Sequence, residues 1–295
     1  MRRLLPALPL LLGAGLAAAQ AASLRFCDKP AALTAAEQDR MLRFGAVVKQ
    51  ELERSGADSA LIARSGLDLE RLGQRYSHAG LSLRASGNTP WSVRQLYYAC
   101  DEGRPRLFDQ GMAGFVMGTS EPALGYVSLV LLPAEAAAAL ERTALDDRRA
   151  LALLGGDYSA NAHAWGLRYQ NCNQWLVELL ASAWGAAADR AAAQQWLREQ
   201  RYRPSEIELG PVLMLASLFV PWVHMADHPQ DDIAAGRYRL SLPVAIEGFV
   251  RERLPGARRI ELCHTDSRIV VRHGWQPLAD GCVAGDGDEV IALQQ

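Results

Sequence analysis

The chain has 295 residues, of which 49% are hydrophobic and 22% are charged, and its formal net charge is -2 at pH 7. This length leaves room for a sizeable core in one or two domains. Because there is no basic excess, the composition argues against nucleic acid as a partner.

The first residues carry the pattern of a secretory signal peptide. Arg2 and Arg3 precede an apolar run over residues 4–19, and Ala19-Gln20-Ala21 offers a small-x-small cleavage site. We expect residues 1–22 to be removed, leaving a periplasmic or secreted protein with no stable membrane span. The alternative is an uncleaved membrane anchor, for which the run is short, since a spanning helix needs about 20 apolar residues.

Two segments with helical spacing follow the signal. Thr34 is a predicted cap, and Met41 and Phe44 belong to the apolar stripe of a long amphipathic helix that ends near Gly56. The leucine spacing within residues 61–73 predicts a second, short helix.

A hairpin is predicted around His78. Residues 76–83 alternate, residues 85–88 form a turn, and residues 91–99 are rich in aromatic and branched side chains. His78 lies near the start of the first strand, beside Ala79-Gly80, where another chain segment or a substrate can approach closely. A strand histidine is more often a structural residue, and a general base is the alternative.

A histidine base needs a third group to orient its imidazole. On the partner strand, Gln95 is the candidate for this role, and Ser92 and Arg94 compete with it because the strand register is unknown. Alternation places Gln95 on the opposite face from Arg94. A solvated strand glutamine is the commoner case.

The next elements are a strand and a helix. Residues 126–132 predict a central apolar strand that Pro133 ends, and residues 134–145 predict a helix. Residues 111–118 predict a loop or a weak element.

A helix that begins at Cys172 is the main chemical signal of the chain. Asn171 is a good N-cap, Gln174 can reach back to it as in a capping box, and Gly185 is a natural stop. The free amides and macrodipole of a first turn favour a thiolate, which is the nucleophilic form. A buried structural cysteine is the alternative.

The C-terminal part of the chain contains two predicted helices followed by several short predicted strands. Residues 186–200 predict a surface helix, and residues 209–225 predict a buried helix, with packing on a membrane face as the alternative. Residues 238–242, 260–263, 269–272 and 289–293 predict strands. His224 and His228 have the one-turn spacing of two metal ligands, although a polar helix end is the commoner explanation, so we predict no metal and no cofactor.

Five cysteines in an exported chain leave at least one unpaired. Cys263 and Cys282 flank a strand-like segment and are predicted partners, Cys27 is expected to pair with Cys100, and Cys172 is left with its thiol.

Together, Tyr76-Ser77-His78-Ala79-Gly80-Leu81 and Asn171-Cys172-Asn173-Gln174-Trp175-Leu176-Val177-Glu178 resemble an exported bacterial family known as a domain of unknown function. That family is similar to the circularly permuted branch of the papain-like, NlpC-type cysteine hydrolases.

The resemblance implies an α+β fold. Its papain-like core has a helix bearing cysteine packed on a small antiparallel sheet bearing histidine, over residues 23–205. Residues 206–295 have no counterpart in this resemblance, and their own pattern predicts a buried apolar helix and a β-rich C-terminal region. The implied catalytic residues are Cys172, His78 and Gln95, although the branch often has His or Glu at the third position.

The implied function is a thiol hydrolase or acyltransferase acting on an amide or ester, with a cell-wall (peptidoglycan) peptide as one substrate class. The alternative is a catalytically inactive envelope binding or scaffold module of the same fold.

Overall fold

The computed structural model describes residues 33–67, 69–210, 214–215 and 220–293. The predicted signal peptide and Cys27 lie outside these ranges. The predicted buried helix over residues 209–225 lies partly outside them, and residues 220–225 are turn and coil.

The described residues form an α+β fold, as predicted. The helices are α1 (Ala35–Arg54), α2 (Met112–Val116), α3 (Ala134–Leu145), α4 (Asp147–Ala152), α5 (Cys172–Gly185), α6 (Arg190–Glu199), α7 (Gln230–Ala234) and α8 (Pro243–Arg253), with a 3-10 helix at Glu70–Leu72. The strands are β1 (Ser59–Arg64), β2 (His78–Leu83), β3 (Ser92–Ala99), β4 (Arg104–Gln110), β5 (Gly125–Leu131), β6 (Asp157–Tyr158), β7 (Tyr169–Gln170), β8 (Ser205–Glu208), β9 (Arg237–Leu240), β10 (Arg258–His264), β11 (Arg268–His273) and β12 (Glu289–Ala292).

Eight strands form one antiparallel sheet in the order β12-β11-β10-β5-β1-β2-β3-β4. The strands near the C-terminus therefore continue the sheet that carries His78, because β10 pairs directly with β5. Two short ribbons, β6–β7 and β8–β9, lie outside this sheet.

The sheet has an apolar core on each face. Leu61 and Ala63 of β1 pack in the core with α3, α5, α6 and α8, whereas Ala60 and Ile62 pack with α1 and α2. This alternation follows from the two-residue period of a strand.

The helix predicted within residues 61–73 is wrong, since residues 61–64 belong to β1. This strand is buried on both faces, so its sequence is continuously apolar and lacks the alternation that identifies a half-exposed strand. The short helix α2 occupies part of the predicted loop at residues 111–118.

Local signals correctly predicted several elements. Thr34 and Glu37 form a capping box at the start of α1, and β2 and β3 form the predicted hairpin. The Cys263–Cys282 disulfide is present, as an oxidising compartment allows. Cys100 is also disulfide-bonded.

Within the described ranges, no helix is both long enough and apolar enough to cross a bilayer.

Candidate active site

Cys172 is the first residue of α5. The Asn171 side chain caps the helix by accepting a hydrogen bond from the Gln174 backbone N–H at 2.8 Å. Cys172 is 6% exposed and carries a thiol rather than a disulfide. The sulfur therefore lies in a first turn, where the outward N–H groups and the macrodipole stabilise negative charge.

The predicted reach of Gln174 back to its cap is wrong. Its Nε2 donates instead to the carbonyl oxygens of His163, Ala164 and Gly166, each at 3.2 Å. These bonds tie the loop before the helix to the turn that carries Cys172. Gly185 is the last residue of α5, and a Cβ there would clash with the Trp196 ring, so glycine allows α6 to pack close to the end of α5.

A buried polar cluster holds α5 from its middle. The Glu178 carboxylate, fully buried, accepts hydrogen bonds from Arg190 Nε at 2.9 Å, Gln170 Nε2 at 2.6 Å and Gln194 Nε2 at 2.9 Å. Burial raises the pKa of Glu178 despite the adjacent Arg190. Because Gln170 immediately precedes Asn171, this cluster fixes the approach to the Cys172 turn.

His78 is the first residue of β2, and Gln95 of β3 contacts it as predicted. His78 Nε2 lies 2.6 Å from Gln95 Oε1, and Gln95 Nε2 donates to Gln110 Oε1 at 2.7 Å. The second bond orients the Gln95 amide, so that its oxygen faces the imidazole. An oxygen acceptor at Nε2 requires the Nε2–H tautomer and leaves the lone pair on Nδ1.

Gly80 allows β3 to approach β2 closely enough for Gln95 to contact His78. A Cβ at Gly80 would lie 2.6 Å from Val93 Cγ1, 2.9 Å from the Arg94 carbonyl oxygen and 3.1 Å from Gln95 Cβ. The close approach of β3 at this point needs glycine, as the sequence indicated for Ala79-Gly80.

The imidazole of His78 is held neutral. Burial lowers its pKa to about 3, and the nearby Arg64 charge also lowers it, whereas the Gln95 hydrogen bond raises it. The ring centroid lies 5.2 Å from that of Tyr97 and 5.9 Å from that of Phe115. At neutral pH, His78 therefore carries no charge of its own.

Cys172 and His78 line the same cavity, whose volume is about 260 Å³. The Asn173 side chain donates to the Ser77 carbonyl oxygen at 3.1 Å, which joins the residue after Cys172 to the residue before His78. Ala79 packs in the core that α5 fills. His78 instead borders the cavity at the beginning of β2.

Most other side chains that line this cavity are apolar, and sequence reasoning missed them. They come from the 3-10 helix and its flanks, the β8–β9 ribbon and the turn before α7: Leu67, Leu69, Leu72, Ile207, Leu209, Val223, Met225, Leu240 and Leu242. No local pattern connects segments so far apart in the chain. Arg64 and Gln110 were missed for the same reason, since the strand register brings them to His78 and Gln95.

The C-terminal strands support the approach to His78. Glu261 of β10 accepts a hydrogen bond from Arg75 at 2.9 Å and from Arg259 at 3.1 Å. It also accepts one from the Tyr76 hydroxyl, whose pKa burial raises. Residues beyond 205 therefore hold the segment that leads directly into Ser77 and His78.

The predicted helical spacing of His224 and His228 is absent, because both residues lie in turn and coil. The His224 ring stacks on Tyr169 with centroids 4.6 Å apart, and His228 Nε2 lies 2.7 Å from the Asn161 carbonyl oxygen. Over the described part of the chain, no group of three or more His, Cys, Asp or Glu residues is placed to hold a metal ion.

Residues 51–250 match the family described as "Uncharacterized protein conserved in bacteria (DUF2145)". No curated protein and no solved structure matches the chain. The matched range includes Cys172, His78 and Gln95 together with the apolar cavity wall. Because the match spans about two thirds of the 295 residues, the chain belongs to this bacterial family.

Proposed function

We propose that this protein is a periplasmic or secreted thiol hydrolase or acyltransferase that acts on an amide or ester. Cys172 is the nucleophile, His78 is the general base and acid, and Gln95 orients the imidazole. The observation that carries the proposal is the single cavity that a helix-start thiol and a buried neutral imidazole both line.

The tautomer of His78 supports this assignment of roles. Because Nε2–H is directed to Gln95, Nδ1 is the nitrogen that can take a proton. A base held by a second group, which is itself held by a third, loses little entropy when it acts. Gln95 and Gln110 form such a chain.

The reaction begins when the Cys172 thiol loses its proton to His78 Nδ1 as the sulfur attacks the carbonyl carbon. A C–S bond forms and the carbonyl oxygen becomes an oxyanion. As the oxyanion collapses, the bond to the leaving nitrogen or oxygen breaks, and His78 returns the proton to that leaving group.

The acyl enzyme is then released in a second step. Water, or the hydroxyl or amine of an acceptor, gives its proton to His78 and attacks the thioester carbon. The C–S bond breaks, and the proton passes from His78 to the sulfur. We assign stabilisation of the oxyanion in both steps to the start of α5, where the helix macrodipole favours negative charge.

The proposed fold assignment is a permuted papain-like core. In support, α5 packs through Trp175 and Leu176 into the core that also contains Ala79 and Leu81 of β2. The strand histidine precedes the helix cysteine in the chain, which is the order expected of the permuted branch.

The test is covalent labelling of the thiol. Protein with its disulfides intact is mixed with p-nitrophenyl acetate, and the acetylated residue is identified by intact mass and peptide mapping. We expect one acetyl group on Cys172, a burst of p-nitrophenolate, and loss of both in Cys172→Ala. If the wild-type protein acquires no acetyl group on Cys172, the hydrolase proposal is wrong, and the alternative is an inactive envelope module of the same fold.

A further inference from the structure

We infer that the acyl group accepted by Cys172 is an unbranched, medium-length aliphatic chain rather than a charged peptide. This inference rests on the proposed function and names its substrate class. The occupant is defined by the composition of the cavity that Cys172 and His78 line.

The cavity wall is apolar and separate from both cores of the sheet. Ile207, Tyr238, Leu240 and Leu242 form a hydrophobic cluster of their own, against which Leu72, Leu209 and Met225 pack. All seven side chains also line the cavity. Binding of an apolar ligand that displaces water from such an apolar surface is favourable.

The polar side chains nearest the reactive residues come from two segments, and Arg64, Tyr158, Asn161 and Tyr238 are the other polar side chains of the lining. Ser77 and His78 come from one segment, and Asn171, Cys172 and Asn173 come from another. A carbonyl carbon at Cys172 would therefore have polar surroundings, and the chain attached to it would meet apolar side chains.

A peptide with free carboxylates would find little to bind it. Among the described residues that line the cavity, Arg64 alone carries a formal charge, because burial keeps His78 neutral. The Arg64 guanidinium already donates to the Gly118 carbonyl oxygen and to the Tyr97 hydroxyl, and it lies 5.4 Å from the Phe115 ring centroid. A buried carboxylate without a cation partner is strongly disfavoured.

The size of the cavity limits the chain. A volume of about 260 Å³ lies just below the range of about 300–1,000 Å³ typical of small-molecule sites. This volume fits one chain of a few methylenes better than a bulky peptide stem.

The step itself is the acylation already described. The sulfur forms a bond to the acyl carbon, the ester C–O bond breaks, and the alcohol leaves with the proton that His78 received from the thiol. Water supplies the hydroxyl that releases the fatty acid.

The experiment measures the rate of Cys172 acylation by p-nitrophenyl acetate, butyrate, hexanoate and octanoate. Each rate is divided by the rate of the same ester with free mercaptoethanol, which removes intrinsic reactivity. We expect the ratio to rise by up to about fourfold for each added methylene until the cavity is filled. N-acetyl-leucine p-nitrophenyl ester, which is branched beside the carbonyl, should react more slowly than hexanoate.

A matched pair of variants locates the chain. Val223 lines the cavity, whereas Val244 lines a different pocket on α8 and is 52% exposed. Val223→Trp should lower the ratio of the octanoate rate to the acetate rate at least tenfold, and Val244→Trp should leave this ratio unchanged. If Val223→Trp does not fold, the dependence of the wild-type acylation rate on ester chain length still tests the inference.

The outcomes separate this inference from the proposed function. Absence of Cys172 acylation by every ester overturns both. Acylation by acetate with a ratio that does not rise with chain length, or faster reaction with the leucine ester than with hexanoate, overturns the aliphatic chain and leaves the thiol mechanism standing.

Discussion

Replacing His78 with Gln should make the protein less sensitive to acid. Burial lowers the pKa of His78 from 6.5 to about 3. Below about pH 6.5 the unfolded chain therefore binds a proton at His78 that the folded chain does not bind. Stability contributed by this residue is complete above pH 6.5 and is lost as the pH falls toward 3. The slope is about 1.4 kcal/mol for each pH unit, which is about 2 kcal/mol between pH 7.5 and pH 5.

His264 adds a loss of similar size to the wild-type protein, because burial lowers its pKa to about 4. His264 and the other titrating groups are common to both proteins, so we expect the free energy of unfolding of His78→Gln to fall by about 2 kcal/mol less than that of the wild-type protein over this pH interval. Glutamine remains neutral and can still hydrogen-bond Gln95, so the substitution removes the titration with little change in shape.

The assay is urea unfolding followed by tryptophan fluorescence at both pH values, with disulfides intact. The chain has seven tryptophans, which provide the signal. His273→Gln is the control, since its side chain is 63% exposed. Equal losses of stability in the wild-type protein and in His78→Gln would show that His78 is not held neutral in the folded protein.

Three further predictions address the elements around the site. Gln95→Leu should slow acetylation of Cys172 by about 10- to 100-fold, because His78 loses its orienting acceptor, and Gln95→Glu should restore most of the rate; equal rates in Gln95→Leu and wild type would remove Gln95 from the mechanism. Glu178→Ala should lower the free energy of unfolding by about 3–5 kcal/mol, since Arg190 is left buried without its partner, and a loss below about 1 kcal/mol in urea unfolding would contradict the buried network. Replacing Cys263 and Cys282, which are 19 residues apart, with serine should cost about 3 kcal/mol in the same assay, and an unchanged unfolding midpoint would argue against this role of the disulfide.

The features that the sequence predicted correctly depend on local chemistry. The Asn171 cap, the Thr34 cap and the hairpin bearing His78 each arise from residues a few positions apart. Cys263 and Cys282 are joined by a short segment, so their pairing could also be predicted from the sequence.

The features that the sequence did not predict depend on tertiary packing. Residues 61–64 form a strand only because β2 and β5 enclose it, and burial on both faces removes the periodicity that would identify it. A capping box would need Gln174 Oε1 to accept from the Asn171 backbone N–H, whereas the folded loop at residues 163–166 supplies carbonyl oxygens to which Gln174 Nε2 donates.

The candidate site divides in the same way. Cys172 and His78 could be recognised one at a time from their local settings, but the strand register decided that Gln95, and not Ser92 or Arg94, contacts the imidazole. The apolar wall could not be predicted, because Leu72, Ile207 and Leu240 come together only when the β8–β9 ribbon and the 3-10 helix have folded over the site.

The most direct test of the central claim is the pH dependence of Cys172 acetylation in the wild-type protein and in His78→Gln, with folding checked at each pH by circular dichroism. A neutral base with a pKa of about 3 removes the thiol proton during attack, so we expect the wild-type rate to be nearly constant between pH 7 and pH 5. Without this base only the thiolate reacts, and the His78→Gln rate should fall about tenfold for each pH unit. Parallel profiles, with both rates falling tenfold per unit, would contradict the assignment of His78 as the base for Cys172.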